Sequence, residues 1–166
     1  MRLTLLACPA LALSALAAAR PPADAAPEAQ APTPVTVALT IGGKAYTAKG
    51  SGECTFAPVA SIYGVRAQQW SVEYSAGGAG LRNVGLTVWR PAAGGADQMN
   101  FYASVGSKSY RIDTVKGSKP AGSGTVTLQQ KGAGGRFEIT GKDAGGAAVR
   151  GTVECARFSA PNPVAG

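Results

Sequence analysis

Residues 35–48 read VTVALTIGGKAYTA, and this passage decides the fold. Val35, Val37, Leu39 and Ile41 alternate with Thr36, Ala38 and Thr40, an apolar period of two that sends one set of side chains to each face of a strand. Gly42 and Gly43 give the backbone freedom of a two-residue hairpin turn, and a second strand runs from Lys44 to Ala48. The expectation is an antiparallel pair with one face buried.

Working outward, the same rule repeats. Cys54 and Phe56 share one side of a further short strand, after which Pro58 and residues 60–66 predict an irregular connection. Trp70, Val72 and Tyr74 mark a strand near 68–75, and Val84, Leu86 and Val88 alternate through 81–90 until Pro91 ends it. Met99, Phe101, Ala103 and Val105 mark 98–105, paired through a glycine turn with Ser109 to Val115. Val126 and Leu128 mark 124–131, Phe137 and Ile139 mark 136–140, and a last strand covers about 147–158. No stretch keeps helical spacing for long. Eight to nine short strands joined by glycine turns predict an all-β domain, an antiparallel β-sandwich with a small closed β-barrel as the alternative.

Length and composition agree. A chain of 166 residues suits one core, and 23 glycines with 11 prolines suit strands joined by tight turns. Sixteen basic against nine acidic side chains give a net charge of +7, which favours anionic partners. The domain's basic residues stand singly, without the clustering of nucleic-acid readers, so no nucleic-acid partner is expected and solubility is the plain meaning of the charge.

Ahead of the domain, Arg2 and the uncharged apolar run from Leu3 to Ala19 have the pattern of a secretory signal peptide, assigned to 1–19. Small-x-small cleavage motifs end at Ala19 and at Ala25. A run of about 17 mostly alanine residues is short for a membrane span, although an uncleaved anchor is the competing reading. Leu5-Leu6-Ala7-Cys8 looks like a lipobox, but only seven residues precede Cys8 and the apolar run continues through Leu16, so Cys8 reads as an ordinary signal residue. Residues 20–34 are rich in proline and alanine and form a disordered, extended tether. The domain is assigned to 35–159 and a disordered tail to 160–166.

With Cys8 removed, Cys54 and Cys155 remain, and an even pair in an exported chain predicts a disulfide. Two sulfurs in a chain with no histidine do not complete a tetrahedral zinc site, so neither a metal nor a cofactor is expected. The lack of histidine also excludes Ser-His-Asp and Cys-His catalysis. A carboxylate pair drawn from Glu53, Glu73, Asp97, Asp113, Glu138, Asp143 and Glu154 is the remaining catalytic option. Against it, Glu73, Asp113 and Glu138 occupy alternate strand positions where solvated charges are expected, and Asp97 and Asp143 lie in glycine-rich turns. Residues 117–124 approach phosphate-loop spacing but lack its Gly-Lys-Ser/Thr ending and a following helix, and read as a loop.

A binding surface is the better candidate. Trp89 and Arg90 are set against Val84, Leu86 and Val88, and Tyr102 against Phe101, which predicts that all three face outward. With Tyr63 in the irregular connection, they would form an aromatic platform for sugar rings or a partner protein. The alternative is that both sheet faces are covered, with Trp89 buried and its N–H bonded to backbone.

The signal, the proline- and alanine-rich tether, the Gly42-Gly43-Lys44 hairpin, early Cys54, and the run Phe137-Glu138-Ile139-Thr140-Gly141 closing on Glu154-Cys155 resemble the mycobacterial 19-kDa lipoprotein antigen family. The likeness covers mainly the two ends of the domain and departs from the family in the lipobox and in residues 61–115. It implies a membrane-tethered, disulfide-containing β domain without enzymatic activity. The expected function is that of an exported, monomeric, non-enzymatic envelope or extracellular protein, periplasmic or outside the cell, that binds an envelope protein or a glycan. A lipid-binding β-barrel with an apolar cavity and a small carboxylate-based glycoside hydrolase are the alternatives.

Overall fold

The computed structural model describes residues 31–76 and 80–161. The assigned signal peptide, most of the tether, the turn residues 77–79 and the tail from 162 lie outside the described residues. The alternation of residues 35–48 gives β1 (Thr33–Ile41) and β2 (Lys44–Ile62), joined by Gly42 and Gly43 at φ 57° and 84°, as a two-residue hairpin turn demands. β3 (Val65–Ser75), β4 (Leu81–Pro91), β5 (Gln98–Val105) and β6 (Lys108–Asp113) follow as a meander on one side of this pair. β7 (Ser123–Lys131), β8 (Gly134–Lys142) and β9 (Ala148–Cys155) lie on the other, with β9 against β1. The nine strands are antiparallel to their neighbours in one sheet of order β6-β5-β4-β3-β2-β1-β9-β8-β7, nearly closed and barrel-shaped, and no helix occurs among the described residues.

This is the expected all-β antiparallel fold, in the form of the barrel alternative, because a single run of strand pairings links both walls. Its two edges meet through the loop after β6. Asp113 and Ala121 exchange backbone N–H···O bonds of 2.6 and 3.2 Å, and the Ala144 N–H donates to the Arg111 carbonyl at 3.2 Å. Gly124 and Gly141 let β7 and β8 approach closely beside this seam: a Cβ on Gly124 would lie 2.7 Å from the Thr140 carbonyl oxygen, and one on Gly141 would overlap that of Ser123.

Two sequence expectations change. The strand at 44–48 and the short strand of Cys54 and Phe56 are one element of 19 residues, which pairs with β1 from Lys44 to Gly52 and with β3 from Gly52 to Ile62. Residues 60–66, expected to be irregular, are the end of this β2–β3 hairpin, turning at Tyr63 and Gly64. Pro58, which cannot donate to the ladder, sits in a bulge between Ala57 and Ala60 that shifts the register by one residue.

The final strand is also shorter than its pattern. β9 stops at Cys155, and the chain then crosses to the stretch of β2 that β1 no longer covers. The Ser159 N–H donates to the Cys54 carbonyl at 2.9 Å and the Phe56 N–H to the Ser159 carbonyl at 2.8 Å. The Cys54–Cys155 disulfide fastens this junction, joining residues 101 apart in sequence with Cα atoms 6.2 Å apart.

Inward side chains fill the barrel. Trp70 stacks on Phe56 with centroids 4.9 Å apart, and Phe101, Phe137, Leu86 and Met99 are among the largest side chains buried completely. Val37, Val72, Val84, Met99, Phe101, Ile112 and Phe137 are 0% exposed, packed as closely as a folded interior allows.

Because the disulfide closes a loop of about 100 residues, its reduction is expected to lower unfolding stability by about 2–5 kcal/mol. Urea unfolding with and without reductant measures this, and coincident curves would show that the clasp adds nothing.

Candidate functional site

The outer face of β3 to β6 carries the polar half of the alternation, and antiparallel register sorts it into rows. Gln69, Trp89 and Gln98 form one; Ser71, Thr87, Asn100 and Asp113 the next; Glu73, Gly85, Tyr102 and Arg111 a third. Side-chain hydrogen bonds tie each row across its strands, as cross-strand neighbours about 5 Å apart permit. Trp89 Nε1–H donates to Gln69 Oε1 at 3.0 Å, Ser71 and Thr87 hydroxyls lie 3.1 Å apart, and Asn100 Nδ2–H donates to Asp113 Oδ2 at 3.0 Å.

In the third row, the Tyr102 ring lies flat over Gly85 and its hydroxyl donates to Glu73 Oε2. A Cβ at Gly85 would overlap the ring, so the glycine creates the seat in which an otherwise exposed aromatic is held. The hydrogen bond to Glu73, followed by burial and the carboxylate's charge, pushes the Tyr102 phenol up to about 12. Tyr102 keeps 38% of its surface exposed.

The other platform residues go to different places. Trp89 faces outward as expected but is half-buried against a small outer cluster of Ile62, Ala67 and Val115, with its N–H on a side chain and not on backbone. Four residues along β4 separate it from the Tyr102 row, about 13 Å at strand rise, so the two rings do not form one surface. Arg90 shares the parity of Val84, Leu86 and Val88, contrary to the outward placement expected for it. Its guanidinium lies on the interior side, 5.1 Å from the centroid of Trp70, held by Asp97 through bonds of 3.0 and 2.8 Å. It caps one end of the core.

Tyr63 stands 67% exposed at the tip of the β2–β3 hairpin, with φ at 46°, the one positive φ of a non-glycine among the described residues. A left-handed tyrosine costs on the order of 1 kcal/mol relative to glycine or asparagine. Its ring rests on Gly117 in the loop after β6, where a Cβ would lie 3.1 Å from it. Beyond the ring opens a concavity of about 680 Å³ bordered by Asn100, Arg111, Ser118 and Lys119, with Asp113 at its base.

Asp113 organises that loop. Expected to be a solvated strand charge, it is 3% exposed, because residues 114–122 fold over its face of the sheet. Its Oδ1 accepts from the Val115 N–H at 3.1 Å and the Ser118 hydroxyl at 2.9 Å, and its Oδ2 accepts from Asn100 and from Arg111 Nη2, both at 3.0 Å. Burial alone would raise its pKa, but the bonds from Val115, Ser118, Arg111 and Asn100 outweigh it and hold the carboxyl below its ordinary value. Asp97 and Asp143 are likewise satisfied internally, by Arg90 and by the Ala147 N–H. Glu53 and Glu73 are direct cross-strand neighbours, and both are exposed on the outer wall. No group of three or more acidic or cysteine side chains able to hold a metal ion occurs among the described residues.

The concavity therefore joins Tyr63 to Asn100 and Arg111, whereas Tyr102, the register partner of Arg111, leans away from β6 over Gly85 and does not line it. No protein-family model, curated protein or solved structure matches the chain.

Asp113→Asn is expected to cost about 1.5–3 kcal/mol at pH 7, since it removes charge-assisted bonds while keeping the shape. Asp113 has a lowered folded-state pKa, so its contribution is present above the ordinary aspartate value of about 3.9 and is lost as pH falls through the folded value. Acid unfolding monitored by tryptophan fluorescence should thus differ between the two proteins above about pH 4 and converge below it. A constant difference down to pH 2 would contradict the assignment.

Proposed function

We propose that this chain is an exported, non-enzymatic protein that binds a glycan on the outer wall, in the concavity beside Tyr63. The observation that carries the reading is the exposure of Tyr63 in a left-handed conformation at the rim of an open polar concavity. Such a conformation is a cost that a plain hairpin turn avoids with asparagine or glycine, and strain of this kind collects at binding sites. A tyrosine ring offers a flat apolar face to the C–H side of a sugar while its hydroxyl reaches a neighbouring oxygen. Asn100 and Arg111 supply an amide acceptor and guanidinium donors beside the Tyr63 ring. An open, shallow site suits a chain-like ligand that continues past both ends.

Export is supported by the uncharged apolar run from Leu3 to Ala19 and by the Cys54–Cys155 disulfide, which persists in oxidising compartments. The resemblance of the two ends of the domain to the 19-kDa lipoprotein antigen family agrees with an envelope location. A non-catalytic role is supported by the absence of histidine from the chain and by the placement of the carboxylates. Asp97 and Asp113 are engaged in internal bonds, and Glu53 and Glu73 stand in the open without the enclosure that tunes an acid and a nucleophile apart. A partner protein is the second reading, favoured by Val59 and Val65, which are 71% and 47% exposed beside Tyr63.

Binding of the purified protein to a glycan array, repeated with Tyr63→Ser and Trp89→Phe, tests the proposal. Retention of one glycan class, loss of at least about tenfold in affinity for Tyr63→Ser and no change for Trp89→Phe are expected. Equal binding by Tyr63→Ser and the unaltered protein would overturn the site. Capture of a single envelope protein that depends on Val59 and Val65, with an empty array, would favour the second reading.

A further inference from the structure

We infer that the concavity beside Tyr63 selects an acidic glycan, one carrying carboxylate groups as uronic acids do; this rests on the glycan-binding reading above. The basis is which polar atoms the fold has already used. The one carboxylate among the residues lining the concavity, Asp113, accepts four hydrogen bonds from Val115, Ser118, Asn100 and Arg111 and is 3% exposed, so it presents neither a free acceptor nor a solvated charge to a ligand. The Ser118 hydroxyl is turned inward, donating to Asp113 or to the Val115 carbonyl. Arg111 spends only Nη2 on Asp113 and keeps its side chain 58% exposed, leaving Nε and Nη1 without partners among the described residues. Lys119 is exposed on the rim and makes no ion pair among those residues.

Among the lining side chains, the charged groups that face a ligand are therefore donors only, two guanidinium N–H positions and an ammonium group, beside the Tyr63 hydroxyl, which donates and accepts, and the amide oxygen of Asn100. A neutral sugar needs acceptors as well as donors, because each of its hydroxyls does both, whereas a carboxylate only accepts. A guanidinium beside an ammonium meets a carboxylate with charge-assisted bonds. The surroundings strengthen the bias. Asp97 and Asp143 are 11% and 9% exposed and internally bonded, while Lys116 projects into solvent from the same loop as Lys119. Glu73 is bonded to the Tyr102 hydroxyl on the β3 side of the sheet, and Glu138 and Glu154 are already bridged to Arg136.

The test compares hexagalacturonate with its methyl ester, an uncharged ligand of the same backbone, by calorimetric titration of the purified full chain at 150 mM salt. The acid form is expected to bind at least about tenfold more tightly than the ester. Lys119→Gln should weaken the acid form by about three- to tenfold, as loss of a rim charge does, without changing the ester. Lys131→Gln, at the end of β7, removes the same net charge elsewhere and should leave both affinities unchanged. Equal affinity for acid and ester would overturn the inference while leaving the glycan reading intact. Equal losses from Lys119→Gln and Lys131→Gln would also overturn it, since binding would then follow net charge and not this site. Failure of both hexamers, with a neutral glycan retained on the array, would remove the acidic preference alone; failure of every glycan would remove both.

Discussion

The structure depends on a change of partner within one strand. β2 leaves β1 at Gly52 and continues against β3, and the edge it exposes by doing so is taken by residues that follow β9. Gly52 makes the crossing possible, since a Cβ there would lie 2.9 Å from a methyl of Val35 and would also press on the Glu73 carbonyl. Two residues further on, the Cys54–Cys155 bond fixes the returning C-terminal segment against the second half of β2. Besides that bond, the backbone bonds of Ser159 and Phe56 and the serine hydroxyl hold the returning segment to β2.

The candidate site inherits its shape from this arrangement. Because β2 continues for ten residues past Gly52, the β2–β3 hairpin reaches the loop after β6 and sets Tyr63 on Gly117. The same loop buries Asp113 and lays Val115 on Ile62 and Trp89, so one short segment decides which outward residues are covered and which remain open. Inside the barrel, Arg90 and Asp97 close one end over Trp70, whose Nε1 is buried without a hydrogen-bond partner among the described residues. The cation above the ring offsets part of that cost.

Period-two alternation is a local signal, and what is local was legible. The inward sets Val35 to Ile41, Val84 to Val88 and Met99 to Ala103 are all buried as read, and the pairing of Cys54 with Cys155 follows from their number and from the lack of other metal ligands. The unbroken course of β2 was not legible, because Pro58 and the glycines at 50 and 52 carry the same residue signals as a strand end, and only the bulge and the close approach of neighbouring backbone explain them. Asp113 was misplaced for a related reason: parity correctly puts it on the outer face, but parity does not tell that a later loop will cover that face. Arg90 failed differently. Grouping it with Trp89 puts it on the outward parity, whereas counting from Val88 places it inward, where Asp97, seven residues on, is its partner. Tyr63 carried no turn signal of its own, since tyrosine is rare at positive φ; the glycine after it was the only hint.

Amide hydrogen exchange at Phe56 and Ser159 tests the partner change most directly. In the oxidised protein both amides should be protected close to the level of Ile139 and Val153, and on reduction both should lose protection together while β8 and β9 stay slow. Rapid exchange at Phe56 and Ser159 in the oxidised protein, or protection there that reduction leaves untouched, would contradict the account.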